Sequence, residues 1–88
     1  MPKLSEFFGI QISIRTRERP HRLPHFHARY GAESVSIAIE TLEVLAGNIE
    51  RRALAMVLEW AVMHRGELQL AWDAAKAGRV PKKIEPLR

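Results

Sequence analysis

The segment from Arg15 to Arg29 holds the side chains best suited to chemistry, namely those two arginines together with His21, His25 and His27. Imidazoles bind divalent metal ions, and because they titrate near neutral pH they also act as general acids and bases. Arginine guanidinium groups bind phosphate through paired N–H donors. If these residues form a site, their types are those of a metal site or a phosphate site.

Three hypotheses fit these residues. The first is a solvated sheet face with no site. The second is a divalent-metal site, such as a zinc site, at His21, His25 and His27 with Glu33 or Glu40 as a further ligand. The third is a metal-independent phosphate or RNA site.

In the phosphate hypothesis, His25 and His27 act as acid and base in RNA cleavage, and Arg15 and Arg29 hold the phosphate. His25 and His27 are two residues apart, so on a strand their side chains lie on one face about 6.6 Å apart. The sequence does not choose between a metal and a phosphate as their ligand.

The elements that position these residues begin with strands. Apolar and polar residues alternate over 10–15, 25–30 and 35–40, which predicts three half-buried strands, and a short fourth strand is expected at 43–45. One face of this antiparallel meander is apolar. The other face is expected to be open, and it should collect the following side chains: Gln11, Ser13, Arg15, His25, His27, Arg29, Ser36 and Glu40.

The second half changes to the spacing of a helix. Asn48 is the expected N-cap, and apolar residues then recur with helical period as far as residue 77, where Gly78 suits the C′ position. A single helix of that length would span about 43 Å, so we expect a break or bend near Arg65-Gly66. Trp60 and Trp72 fall on the apolar stripes and are predicted core residues, and His64 is predicted to cap or pack at a helix end. The fold class is α+β, with an antiparallel meander of three or four strands followed by two helices on its apolar face.

Length and composition narrow the function classes. The 88 residues predict one domain, with a sheet half at 1–47, a helical half at 48–78 and a basic tail at 79–88. The chain has no cysteine, which excludes disulfides, thiol nucleophiles and cysteine-ligated metals. The net charge of +4 favours phosphate-rich partners such as RNA. We expect a cytoplasmic protein with no signal peptide and no membrane contact.

The stretch from Leu23 to Gly31 resembles the pattern Pro-Pro-His-Phe-His-Ala-x-Tyr-Gly of a prokaryotic family, domain of unknown function 4160. Further matches follow in order along the chain, among them Glu59-Trp60, Trp72 and the closing 83–87. This chain differs in having Pro20 where members often carry an acidic residue, and Leu42 where a glycine is usual.

The resemblance assigns no catalytic residue. It implies a small bacterial protein whose gene often neighbours a second family of unknown function, an arrangement similar to toxin–antitoxin or regulatory pairs. We therefore expect an interaction component of a two-gene module with a protein partner encoded next to it, and the unsatisfied sheet edge is compatible with a homodimer. An RNA-cleaving toxin and a divalent-metal-binding protein are the alternatives.

Overall fold

The computed structural model describes residues 3–16 and 23–88, which form an antiparallel sheet followed by two helices. The elements are β1 (Lys3–Phe7), β2 (Ile10–Ser13), β3 (His25–Tyr30), β4 (Glu33–Ala38), β5 (Val44–Asn48), α1 (Arg51–Met63) and α2 (Arg65–Lys76). The predicted α+β arrangement of a meander and two helices is confirmed.

The sheet has five strands in the order β1-β2-β3-β4-β5, rather than the predicted three or four. The additional strand is β1, which pairs with β2 and has an irregular register between Lys3 and Ser5. A bulge of this kind breaks the alternation of apolar and polar side chains, because one extra residue shifts the faces of all that follow. The alternation in Lys3–Phe7 is therefore too irregular to indicate a strand.

Two predicted boundaries in the middle of the chain are wrong. Strand β5 continues as far as Asn48, so Asn48 is not the N-cap of the first helix. Glu50 takes that position, and its carboxylate accepts hydrogen bonds from the backbone N–H groups of Arg52 and Ala53. A carboxylate at this position is also favoured by the helix dipole, which is a reason for α1 to begin at Arg51.

The core lies between the apolar sheet face and the helices. Trp60 of α1 is fully buried, with its ring against Phe7 and Phe26, and Trp72 of α2 is also buried, as predicted for both tryptophans. Phe7 belongs to β1 and is buried, whereas the neighbouring Phe8 is 61% exposed. The isoleucines of β2 and β4 supply the sheet side of the core.

The helical half breaks at His64, one residue before the predicted junction. The His64 ring packs on Trp60 with centroids 5.3 Å apart, and its Nδ1 lies 2.5 Å from Oε1 of Glu67. The predicted packing and capping role of His64 is confirmed. The end of α2 also follows the prediction, since Gly78 adopts a positive φ of 78° just after the helix.

The residues after α2 lie along the edge of β1. Pro81 and Ile84 are buried, and the Ile84 N–H donates to the Leu4 carbonyl at 2.8 Å. The indole Nε1 of Trp60 donates to the carbonyl of Glu85 at 2.7 Å. This segment therefore covers one edge of the sheet, while β5 forms the opposite edge. Within the described ranges, no helix has the length and apolar character needed to cross a membrane.

Candidate functional site

Polar side chains of the three central strands form two rows across one sheet face. The first row contains Gln11, Arg29 and Ser34, which are direct neighbours in the register of β2, β3 and β4. The second row contains Ser13, His27 and Ser36 in the same way. Alternate residues along a strand share a face, so the two rows lie side by side on the face opposite the core. This is the polar face that the alternation predicted.

A cavity of about 280 Å³ opens over these rows. Its lining includes three cationic side chains, those of Lys3, Arg15 and Arg29, and no described residue that lines it carries a carboxylate. The other lining residues are Gln11, Ser13, His27, Ala32 and Ser34. A concave site with cations, hydroxyl groups and an amide, and without acidic residues, has the chemistry of an anion site.

His27 lies in the floor of this cavity and is 7% exposed. Its Nδ1 shares a buried hydrogen bond of 3.2 Å with Oγ of Ser36, the residue directly opposite it on β4. That bond fixes the orientation of the imidazole ring. His27 is thus a held side chain at the bottom of the cavity rather than the open surface residue that the sequence predicted.

The expectation that His25 faces an open surface is wrong. The His25 side chain is fully buried, its ring lies 5.1 Å from the Trp72 ring of α2, and it does not line the cavity. Its Nδ1–H donates to the Leu23 carbonyl at 2.8 Å. Alternation along β3 indicates the face of His25, but it does not show that a residue of α2 covers that end of the strand.

Arg29 and Lys3 stand at the rim of the cavity. Arg29 is exposed, and its Nε donates to the Gly31 carbonyl at 3.1 Å, which holds the guanidinium while its terminal nitrogens remain donors for a ligand. Lys3 pairs with Glu6 at 2.5 Å in an exposed ion pair of the kind that contributes little to stability. Arg15 is half-buried and completes the cationic part of the lining.

Only part of the ligand set of the metal hypothesis lies among the described residues. The rings of His25 and His27 are 5.1 Å apart, as expected for neighbours on one face, whereas His21 lies outside the described residues. Within ranges 3–16 and 23–88, no three His, Asp or Glu side chains come close enough to hold a metal ion. Glu33 is engaged elsewhere, since its Oε1 accepts from the backbone N–H of Glu50 at 2.9 Å.

The cavity thus brings together Arg15, His27 and Arg29 among the predicted site residues, whereas His25 contacts the His27 ring but does not line the cavity. It adds Lys3 and Ser34, which sequence reasoning missed. Lys3 was missed because β1 was not predicted. Ser34 was missed because β4 begins at Glu33, two residues earlier than the alternating segment indicated.

A comparison with family models identifies the family of this chain. The family model described as domain of unknown function DUF4160 matches residues 9–73. The chain belongs to the DUF4160 family. The match spans β2 to most of α2, so it includes both polar rows of the sheet face. No curated protein and no solved structure matches this DUF4160 chain.

Proposed function

We propose that this DUF4160 protein is a small RNA-binding protein that holds phosphate groups on the polar face of its sheet. The observation that carries the proposal is the cavity of about 280 Å³ with Lys3, Arg15 and Arg29 in its lining and no carboxylate among the described lining residues. Most protein–nucleic acid hydrogen bonds go to phosphate and sugar, and arginine supplies them with a fork of N–H donors.

The hydrogen bonds around the cavity support a prepared site. Arg29 is held by its bond to the Gly31 carbonyl, and His27 is held by its bond to Ser36. Side chains that are already fixed lose less conformational freedom when a ligand binds. The hydroxyl groups of Ser13 and Ser34 lie in the same lining and add short neutral donors to phosphate oxygens.

The proposal is binding and does not extend to cleavage by a histidine pair. An acid and a base must each reach the reacting atoms within hydrogen-bond distance. His27 lines the cavity, but the His25 ring lies under Trp72 and is fully buried. The contacts of His25 therefore favour a structural role.

Binding of a short, fluorescently labelled single-stranded RNA tests the proposal. Arg29→Ala should weaken binding by about tenfold, the equivalent of one lost charge-assisted contact. Arg51→Ala is the matched control, because Arg51 is also exposed and carries the same charge but lies at the start of α1 and does not line the cavity. It should change binding by less than about twofold.

Two results would contradict the proposal. One is the absence of RNA binding by the parent protein at low salt. The other is an equal loss in Arg29→Ala and Arg51→Ala, which would mean that overall positive charge, rather than the cavity, attracts the RNA.

A second candidate function is binding of a protein partner through the edge of β5, as expected for a component of a two-gene module. The observation that favours it is the difference between the two sheet edges. Ile84 covers β1, whereas β5 is the outer strand on the other side and contains no charged residue and no proline. Edges without such residues readily accept another strand.

Val44→Lys tests this candidate, because Val44 is 45% exposed in β5 and a lysine there opposes strand addition. Val62→Lys on α1 is the control, since Val62 is 60% exposed and lies away from the edge. Size-exclusion chromatography with the product of the neighbouring gene should give a complex with the parent and with Val62→Lys, and none with Val44→Lys. A complex that survives Val44→Lys, or no complex with the parent, counts against the edge. A dimer of the chain that is lost only in Val44→Lys identifies a second copy as the partner.

A further inference from the structure

The dimensions and charge of the cavity indicate which phosphate it takes. We infer that the site binds a phosphate monoester on a nucleoside, such as the phosphorylated end of an RNA, in preference to an internal phosphodiester. This inference rests on the proposed function.

The two rows place polar side chains of three strands close enough to contact one phosphoryl group. Arg29 and His27 are alternate residues on β3, so their positions are about 6.6 Å apart along the strand, and the flanking strands lie about 4.8 Å to each side. Gln11 and Ser34 flank Arg29, and Ser13 flanks His27. Side chains from three neighbouring strands can therefore contact the same phosphoryl group.

The charge of the lining matches a dianion. A phosphate monoester carries about −1.5 to −2 at pH 7, whereas an internal phosphodiester carries a single charge. Arg29 presents an exposed guanidinium to the cavity, Arg15 lines it as well, and Lys3 adds a third cation whose charge is partly offset by Glu6. The terminal phosphate thus gains more from this lining than a diester does.

The described residues of the lining offer no large aromatic ring on which successive bases can stack. No phenylalanine, tyrosine or tryptophan is among the described residues that line the cavity. Proteins that hold single strands along their length usually stack successive bases on aromatic rings. At about 280 Å³ the cavity also lies near the lower end of the roughly 300–1,000 Å³ typical of small-molecule sites. Both features favour one terminal group over a continuous track.

The test compares RNA oligonucleotides of one sequence that carry a 5′-phosphate, a 3′-phosphate or hydroxyl groups at both ends. One phosphorylated form should bind about tenfold more tightly than the hydroxyl form, the advantage of one further charge-assisted contact. Adenosine monophosphate should compete with it, and adenosine should not. Arg29→Ala and Gln11→Ala, both at exposed positions in the lining, should remove the preference, and Arg51→Ala should keep it.

The outcomes separate this inference from the proposed function. Equal, Arg29-dependent binding of all three RNAs overturns the monoester inference and leaves RNA binding in place. Adenosine monophosphate could compete for a labelled nucleotide while no RNA binds. That result supports the monoester site but shows that its ligand is a free nucleotide rather than an RNA end. Absence of binding by the RNAs and the nucleotide overturns both. If Arg51→Ala loses the preference for phosphorylated RNA as Arg29→Ala does, the terminal phosphate does not bind in the cavity.

Discussion

The imidazole of His25 packs against the indole of Trp72, with ring centroids 5.1 Å apart and an interplanar angle of 51°. This contact joins the first residue of β3 to α2, and both side chains are buried. A histidine in the motif that most invites a chemical interpretation is therefore part of the packing between sheet and helix. Its substitution will disturb the fold before it disturbs any site.

We expect His25→Ala to lower the free energy of unfolding on the order of 2 kcal/mol, because it removes the ring contact with Trp72 and the hydrogen bond to the Leu23 carbonyl. Arg29→Ala should change it by less than about 0.5 kcal/mol, since Arg29 is exposed. Urea denaturation of the two variants measures both values. Equal stability of His25→Ala and the parent would mean that the contact between His25 and Trp72 contributes nothing to the free energy of unfolding.

The prediction separates structural from functional loss. If His25→Ala loses RNA binding, its stability must be compared with that of the parent before any catalytic role is inferred. Arg29→Ala does not carry this ambiguity, which is the reason that the binding tests are built on it.

The sequence was sufficient to predict four of the five strands, both helices and most of the core. Alternation gave β3 with both its ends, and helical spacing placed Trp60 and Trp72 in the core, because burial on one face imposes a period that can be read locally. The helix break was predicted one residue from its position at His64.

The parts that could not be predicted depend on contacts between distant segments. β1 has a bulge that conceals its alternation, and its edge is covered by Ile84, far along the chain. The burial of His25 depends on α2, and no pattern within β3 reports it. The cavity combines Lys3 of β1 with Arg29 of β3, a pairing that follows only from the strand order.

The segment after α2 should contribute to stability rather than behave as a solvated tail. Ile84→Ala is expected to lower the free energy of unfolding by about 2 kcal/mol, because the Ile84 side chain is buried in the core cluster beside β1. Val80→Ala is the matched control, since Val80 is 87% exposed, and it should stay within about 0.5 kcal/mol of the parent. Thermal denaturation gives the comparison. An equal, small effect of both substitutions would contradict the packing of this segment.

Gly47 is expected to tolerate no side chain. Its φ is 79°, and a Cβ at this position would overlap the carbonyl oxygen of Ser34 on the paired strand. Gly31 has a similar φ of 62° with nothing within 4 Å of an added Cβ, so Gly31→Ala should cost only the backbone strain of about 1–2 kcal/mol. Gly47→Ala should cost clearly more in the same chemical-denaturation experiment. Similar costs for the two substitutions would show that β5 moves away from Ser34 without penalty.

Zinc is expected to leave the melting temperature of untagged protein unchanged. Zinc sites use three or four protein ligands, and the described residues offer His25 and His27 without a third side chain close enough to join them. Differential scanning fluorimetry with and without zinc, on the parent and on His27→Ala, measures the effect. A rise in melting temperature that disappears in His27→Ala would restore the metal hypothesis, and His21→Ala would then test the third ligand.

The salt dependence of RNA binding should be shallow if the cavity holds one phosphate. For single strands, the logarithm of the binding constant falls with the logarithm of salt concentration by about 0.7 for each phosphate neutralised. If the cavity holds one terminal phosphate, we expect a slope of about −0.7 to −1.4. The steeper value allows for the second charge of a monoester. An extended cationic track would give a slope several times steeper. Fluorescence anisotropy over a range of salt concentrations measures the slope, and Arg29→Ala should flatten it whereas Arg51→Ala should not, since only Arg29 lines the cavity. A steep slope that both variants reduce equally would place the RNA on the general surface charge instead.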